Sequence, residues 1–451
     1  MSDYAAIEKE ARIFTEECVT NNRVDPALFG QYHIKRGLRD QDGKGVLAGI
    51  TNISRIDAFE ERDGQQVPCD GRLWYRGYNV YDLIRGLRGK RYAFEEAAYL
   101  LLLGDLPNEK QLESFKDCLA KCRDLPTNFV RDVIMKAPSK DLMNSLTRSV
   151  LTLASYDDDI GKSDLQTQLE QCIKLISVFP MLAVYGYHAY HYYECDGSMY
   201  IHRPKPELST AETLLQMLRP DRQYPDLEAH VLDIALLLHM EHGGGNNSTF
   251  TTRVVTSSGS DTYSVVAAAL SSLKGPKHGG ANIKVMHMMD DIRAHVADPT
   301  DEDAMRDYLG KIVDRQAFDQ KGLIYGMGHA VYTLSDPREV ILKKFAKALA
   351  EEKGLTDEFN LYELVEKIAG RLIPEHRKVF KSVCANVDFY SGFVYTMLGI
   401  PQELFTPLFA IARMPGWSAH RLEELLNAGK IIRPAYKYVG KHVNYIPFEE
   451  R

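Results

Sequence analysis

A mostly α-helical fold with a short β-containing segment near the N-terminus is what the sequence predicts, and three observations predict it. Apolar residues recur at helical spacing through most of the 451 residues. Several of these runs open on a capping residue and close on glycine or proline. Strand-like alternation is nearly confined to VLAGITNISRIDAFEERDGQQVPCDGRLWYRG, residues 46–77.

The elements follow in chain order. In LPNEKQLESFKDCLAKC, Asn108 is placed to cap a helix with Gln111 three residues on, and Leu112, Phe115, Leu119 and Cys122 repeat along one face. Cys118 and Cys122 have no second cysteine pair nearby, so they read as part of a helix face and not as a metal site. PDLEAHVLDIALLLHMEH is apolar on most sides, as a buried helix would be. SDPREVILKKFAKALAEEKG carries Asp336 as cap, Pro337 at the first helical position, Glu339 to complete a capping box and Gly354 as the stop. ANVDFYSGFVYTMLGIP is a further helix, closed by Gly399 and Pro401. The proline- and arginine-rich pieces IHRPKPELS and RPDRQYP read as loops between helices, and no internal repeat or low-complexity segment interrupts the chain.

Composition narrows the function. The chain is 45% hydrophobic and 26% charged, an ordinary globular balance. Its formal net charge of -7 argues against bulk attraction to nucleic acid or to an anionic membrane, so an anionic ligand must be held by a local cluster of cations. Seven scattered cysteines do not form a disulfide framework and suit a reducing cytosol. The acidic start MSDYAAIEKEARIFTEE resembles neither a secretory signal nor a transit peptide, and no apolar run reaches the ~18 residues of a membrane span. A cytoplasmic location is the expectation.

Nucleotide motifs are weak. There is no Walker-type glycine-lysine loop, and GMGHA has only two glycines of a dinucleotide fingerprint. HMEH places His239 and His242 on one helix face without the catalytic Glu of zinc proteases or a third ligand, so a zinc hydrolase stays open only as a minority reading. What stands out is a set of charged and imidazole side chains at helix ends and glycine turns. His242 precedes three glycines and Asn246; His278 lies in GPKHGG; His329 lies in GMGHAVY; Arg338 and Asp388 each occupy a first helical turn; Arg413 precedes MPGW. Such places let backbone donors and side chains converge on a ligand. Singly, each has an ordinary structural explanation: a core histidine, a surface arginine, or an aspartate serving a helix dipole.

Taken in order, LHMEHGGGNNSTF, SLKGPKHGGAN, GMGHAVYTLSDPRE, NVDFYSGFVYTMLGIP, LFAIARMPGW and GKIIRPAYKY resemble the successive motifs of citrate synthases. GLRDQDGKGVLAGITNIS and LWYRGYNVYDLI resemble bacterial members, so the likeness runs over nearly the whole chain. It implies an all-α homodimer with a large helical domain, residues 1–281 and 397–451, and a small helical domain, residues 282–396, closing over a cleft.

The resemblance also implies an acyltransferase reaction of the tricarboxylic acid cycle, in which acetyl-CoA condenses with oxaloacetate and water to give citrate and CoA. Asp388 matches the base that deprotonates the thioester methyl group, and the helix start beneath it is expected to keep it ionised. His278 matches the neutral donor to the enolate oxygen, and His329 the residue that polarises the oxaloacetate ketone. His242, Arg338, Arg413 and Arg433 match the residues that hold the oxaloacetate carboxylates, with Arg433 reaching across the dimer. Lys381 fits a position near the phosphates of CoA, and the turn formed by Ile324, Tyr325, Gly326, Met327 and Gly328 resembles the loop along its adenine. The resemblance implies no metal and no tightly bound cofactor; the CoA thioester is a substrate.

Many bacterial members have His-Glu-x-Asn where this chain has His242, Gly243, Gly244, Gly245 and Asn246, one residue longer and without the Glu, which leaves the role of Asn246 open. The N-terminal part shows no sign of the regulatory segment of NADH-inhibited members, so no such control is expected. Met327, Phe389 and Phe393 are candidates to line the acyl pocket, and core packing explains them equally well. The same residues would serve propionyl-CoA in a 2-methylcitrate synthase, since one methylene is worth only ~1–3 kcal/mol in a pocket. A relative that binds CoA esters or carboxylates without catalysis is the alternative from another class, and it is disfavoured by the presence of Asp388, His278 and His329 together.

Overall fold

The structure, a computed structural model, describes residues 4–40, 45–87, 91–377, 382–427 and 430–451. It divides into two compact units, Met1–Ile50 and Thr51–Arg451. The first carries two helices, α1 (Tyr4–Asn21) and α2 (Ala27–Gln31), with the Asp25 carboxylate accepting the Ala27 N–H at 2.9 Å.

The second unit opens with the stretch of alternating residues. β1 (Ser54–Arg62) and β2 (Gln65–Tyr75) form an antiparallel hairpin, and β3 (Tyr78–Asn79) extends it. Asp63 and Gly64 turn the hairpin at φ 52° and 74°, the left-handed pair that matches strand twist. Along β2, Cys69, Gly71, Leu73 and Tyr75 are buried while Asp70 and Arg72 are exposed, so the period of two visible in the sequence faces one side to the core.

Helices make up the rest: the chain is 58% helix and 6% strand, which gives the all-α class with a minor β segment. α3 (Val80–Gly86) and α4 (Ala93–Leu103) lead to α5 (Glu109–Lys121), where Asn108 and Gln111 form the expected capping box and Phe115 and Leu119 are buried. α6 (Leu142–Ala154) and α7 (Leu165–Glu194) are capped by Asp141 and Asp164. α8 (Thr210–Leu218), α9 (Asp226–His239), α10 (Asn247–Ser257) and α11 (Thr262–Leu273) follow, and α9 is buried along most of its length, as its composition predicts. Then come α12 (Ala281–His295), α13 (Glu302–Val313), α14 (Pro337–Glu352), α15 (Thr356–Arg377), α16 (Val387–Met397) and α17 (Phe405–Asn427). Residues 430–451 are largely irregular and mostly exposed.

Two sequence expectations are corrected here. α14 is capped by Asp336, starts on Pro337 and stops at Gly354, φ 67°, but Glu339 does not complete a capping box. The first turn of α14 is buried, Asp336 is already engaged by Arg338, and Glu339 turns inward, where burial and Glu366 push its carboxyl up to about 9. Also, α7 is long and apolar enough to cross a bilayer, although its interspersed polar residues hid this in the sequence. Most of its apolar window is buried inside the protein, as befits a core helix.

α17 organises the interior, packing on α4, α7, α9 and α10. Gly416 lets it come so close to the end of α9 that a Cβ there would lie 2.3 Å from the Met240 carbonyl oxygen. α14 packs on α9 and α16, and α16 on α12. The turns that leave α9 and α11 and the starts of α14 and α16 are the parts of this framework that carry the candidate site.

Candidate active site

His278 sits on the turn between α11 and α12. Its N–H donates to Gly275 O at 2.8 Å. The turn is pinned next door: a Cβ on Gly279 would stand 2.3 Å from Leu273 O, and the Thr406 hydroxyl at the start of α17 donates to Gly279 O at 3.0 Å. The imidazole Nε2 accepts the backbone N–H of Ser248 at 3.3 Å and lies 3.1 Å from its hydroxyl. Ser248 is the second residue of α10, so the ring satisfies one of the free N–H groups of that helix start. A backbone N–H can only donate, which makes Nε2 the lone-pair nitrogen and assigns the proton of the neutral ring to Nδ1. Burial, followed by the charge of Arg413, pushes its pKa down to about 4, so the ring is neutral at pH 7. Neutrality therefore comes chiefly from burial, and the helix start that serves the ring belongs to α10.

His329 is held the other way round. Its Nδ1 accepts two backbone N–H groups, from Val331 at 3.0 Å and Tyr332 at 3.1 Å, which assigns the proton to Nε2. The ring stacks on Tyr332 at 4.7 Å between centroids and meets the His242 ring edge-on at 5.0 Å. Nε2 lies 3.4 Å from Arg338 Nη2. Both are donors, so the pair converges on whatever acceptor approaches it.

Arg338 is aimed by Asp336, whose carboxylate takes Nε at 3.0 Å and Nη2 at 2.7 Å while also accepting the Arg338 N–H. Burial opposes the guanidinium charge, and Asp336 more than restores it. Arg413, on α17, donates through Nε to His239 O at 2.7 Å and leaves Nη1 buried without a protein partner. His242 is buried beyond the end of α9, its Nε2 likewise without a partner, and burial followed by Arg338 keeps it neutral. The arrangement supplies several buried donors and two fixed cations, which suits a small polyanionic ligand bearing carbonyl oxygens.

Asp388 is the second residue of α16. Asn386 caps the helix by accepting the Asp388 N–H at 3.0 Å and donates through Nδ2 to Gly328 O at 2.8 Å. With Gly328 N–H on Cys384 O at 2.7 Å and Asn386 N–H on Gly326 O at 2.8 Å, the turn from Ile324 to Gly328 is stitched to the start of α16, which brings the His329 and Asp388 segments side by side. Gly326 and Gly328 adopt φ 78° and 89°, and a Cβ on Gly326 would collide with Phe389 at 2.8 Å. The helix start is expected to keep Asp388 ionised, and the surroundings of the carboxyl oppose that. Burial, only partly countered by Arg338, pushes the carboxyl up to about 6. It is ionised at neutral pH but far more basic than an exposed aspartate.

The structure thus gathers His242, His329 and Arg338 in direct contact, couples Asp388 and Arg413 to them electrostatically, and ties His278 to the start of α10. Arg433 is not among these buried groups; it is exposed in the segment after α17, whose neighbouring Ile432 N–H donates to Ser257 Oγ. Lys381 lies outside the described residues. Phe389 and Phe393 pack their rings against Tyr362, at 5.6 and 4.7 Å between centroids, and so belong to the core. His239 and His242 do not share a ligand face, because His239 turns onto Phe409 at 3.9 Å and His242 onto His329.

Sequence reasoning passed over Ser248, Trp417, Tyr332 and Glu241. Glu241 holds the turn before His242 by accepting the Ser54 hydroxyl at 2.9 Å and the Gly243 N–H at 2.5 Å. Burial opposes its ionisation, but His420 and Arg413 hold its carboxyl down to about 2. Its place directly before His242 was the available signal; for Trp417 it was the four-residue spacing from Arg413 on one helix.

Comparison with known proteins places the chain in a family. Residues 38–435 match the family described as "Citrate synthase, C-terminal domain". A citrate synthase of Synechocystis sp. is 34% identical over 409 residues, 90% of this chain and 92% of its own. A 2-methylcitrate synthase of Shewanella oneidensis is 35% identical, covering 88% of this chain and 94% of its own. Among solved structures, the ternary complex of citrate synthase from Thermoplasma acidophilum with carboxymethyl coenzyme A and oxaloacetate superposes with a TM-score of 0.77 at 29% identity, covering 93% of this chain and 99% of that one.

Proposed function

We propose that this chain, which belongs to the citrate synthase family, condenses acetyl-CoA with oxaloacetate and water to give citrate and CoA. Family membership makes it a condensing enzyme of the transferase type; the substrates and the residue roles are our reading. The observation that carries it is the pair of donors, His329 Nε2–H and Arg338 Nη2, facing each other at 3.4 Å beside His242. An oxaloacetate fits there, its ketone oxygen on His329 and its carboxylates on Arg338, Arg413 and His242.

The thioester enters on the other side. Asp388 takes a proton from its methyl group, and the Nδ1–H of His278 stabilises the oxygen of the resulting enol without bringing a charge. The nucleophilic carbon adds to the polarised ketone, whose oxygen takes the Nε2 proton of His329, made good by the proton Asp388 holds; water then cleaves the thioester, its hydroxyl going to the acyl carbon and its proton to the sulfur, to release citrate and CoA. The turn Ile324–Gly328 and Lys381 would hold CoA, residues 282–396 would close over the cleft, and Arg433 would complete the carboxylate site across a homodimer. The tricarboxylic acid cycle and the cytoplasm are the corresponding setting.

The test is the initial rate of free thiol release with oxaloacetate and either acetyl-CoA or propionyl-CoA, compared as kcat/KM. Clear preference for acetyl-CoA supports the reading. Comparable or greater use of propionyl-CoA moves the chain to a 2-methylcitrate synthase, and no release with either substrate overturns catalysis in favour of a binding role.

A further inference from the structure

We propose that Trp417 is a positioning residue for His278, acting through the Ser248 hydroxyl to favour the imidazole proton on Nδ1. The inference deepens the proposed function, because it concerns the donor that faces the thioester.

Trp417 lies on α17 one turn beyond Arg413, with none of its surface exposed. A buried indole N–H requires an acceptor, and Nε1 finds Ser248 Oγ at 3.1 Å. Ser248 is itself fully buried. Because an indole can only donate, it occupies a lone pair on Oγ and turns the hydroxyl proton away from α17. Two acceptors remain for that proton, Asn246 Oδ1 at 3.0 Å and His278 Nε2 at 3.1 Å. An oxygen that accepts one hydrogen bond donates more strongly to the next, so the indole strengthens the pull of Ser248 on the Nε2 lone pair. The Ser248 N–H, 3.3 Å from the same nitrogen, acts in the same direction. The outcome is an Nδ1–H set before any charge develops on the substrate, which is the condition for a donor that costs no reorganisation. Asn246 Oδ1 competes for the single hydroxyl proton, and the Ser248 N–H on Nε2 favours the arrangement in which His278 receives it.

The experiment replaces the indole and keeps an aromatic ring: Trp417→Phe, Ser248→Ala and the double variant, each checked for folding by thermal melt. In protein labelled with 15N-histidine, the His278 resonances are assigned by their loss in His278→Asn. Trp417→Phe should shift them toward the Nε2–H form and lower kcat about tenfold, with KM for oxaloacetate held within about twofold. In the Ser248→Ala background the same change should cost nothing further, since the path runs through the missing hydroxyl.

Unchanged 15N shifts in folded Trp417→Phe, or an equal fall in both backgrounds, would make Trp417 a packing residue and overturn the proposal. Should Trp417→Phe fail to fold, Ser248→Ala decides alone: it must move the tautomer, and an unmoved tautomer overturns the proposal too. The nitrogen shifts need no substrate. Absence of thiol release by the unaltered protein would therefore sink the proposed reaction while leaving this assignment to be judged by the spectrum.

Discussion

The turn carrying His278 and the turn carrying His329 solve one problem in opposite ways. Each must present an N–H from a neutral ring, and each does so by giving the other ring nitrogen to backbone donors. At His329 the donors are the N–H groups of Val331 and Tyr332, two and three residues away, and they leave the proton on Nε2. At His278 the donor is Ser248, 30 residues back in the chain, with Trp417 a further 169 residues from Ser248. The first device is a property of a local turn; the second exists only once α10, α11 and α17 have packed. A histidine's tautomer is therefore as much a product of the fold as its position is.

The sharpest break of the comparison removes the base that we propose both rings serve. Asp388→Asn should lower kcat by about 10⁴-fold, the upper end of what one proton-transfer group contributes. Binding of oxaloacetate, measured by calorimetry, should be nearly unchanged, because His329 and Arg338 are untouched. Retained turnover would remove Asp388 from the mechanism.

Next in size is the contrast between the rings themselves. His278→Ala should lower kcat about 10²–10³-fold with little change in KM for oxaloacetate, as loss of a donor felt only when the enol forms. His329→Ala should lower kcat and also raise KM for oxaloacetate, since in the proposed reaction its donor would contact the bound ketone in the ground state as well. Identical patterns from the two variants would collapse the distinction between a thioester side and an oxaloacetate side.

That distinction was only partly legible in the sequence. The caps Asn108 and Asp336 and the stop at Gly354 are local, and their residue types reveal them directly. His278 and His329 were visible because glycine turns flank them. Their tautomers were not, because one depends on an indole far along the chain. Glu339 missed its capping box and the Asp388 carboxyl sits higher than a helix start alone would set it for a related reason: helix-start rules assume exposure, and both groups are buried here. Arg433 marks another boundary, since a single chain leaves it exposed.

A smaller effect separates the base from both rings by pH. With its carboxyl at about 6, Asp388 gives kcat/KM an acid limb that rises with pH and levels above about 7. His278, neutral down to about 4, contributes nothing to that limb. His278→Ala should therefore keep the limb at reduced height, and a limb that vanishes with the imidazole would reassign it.

The smallest effect is on stability, and it has the opposite sign to the loss of activity. The Asp388 carboxyl rises from 3.8 unfolded to about 6 folded, so between these values the folded state binds the extra proton, and stability falls as pH climbs through that window. Above it the protein carries a buried, ionised carboxylate at a net cost. Asp388→Asn removes the charge and nearly preserves the shape, so the inactive variant should melt a few degrees (~2–4 °C) higher than the parent at pH 7.5. At pH 4 the gain should shrink, because the parent is then protonated as well. A gain independent of pH would mean that the stabilisation has another source than the buried charge.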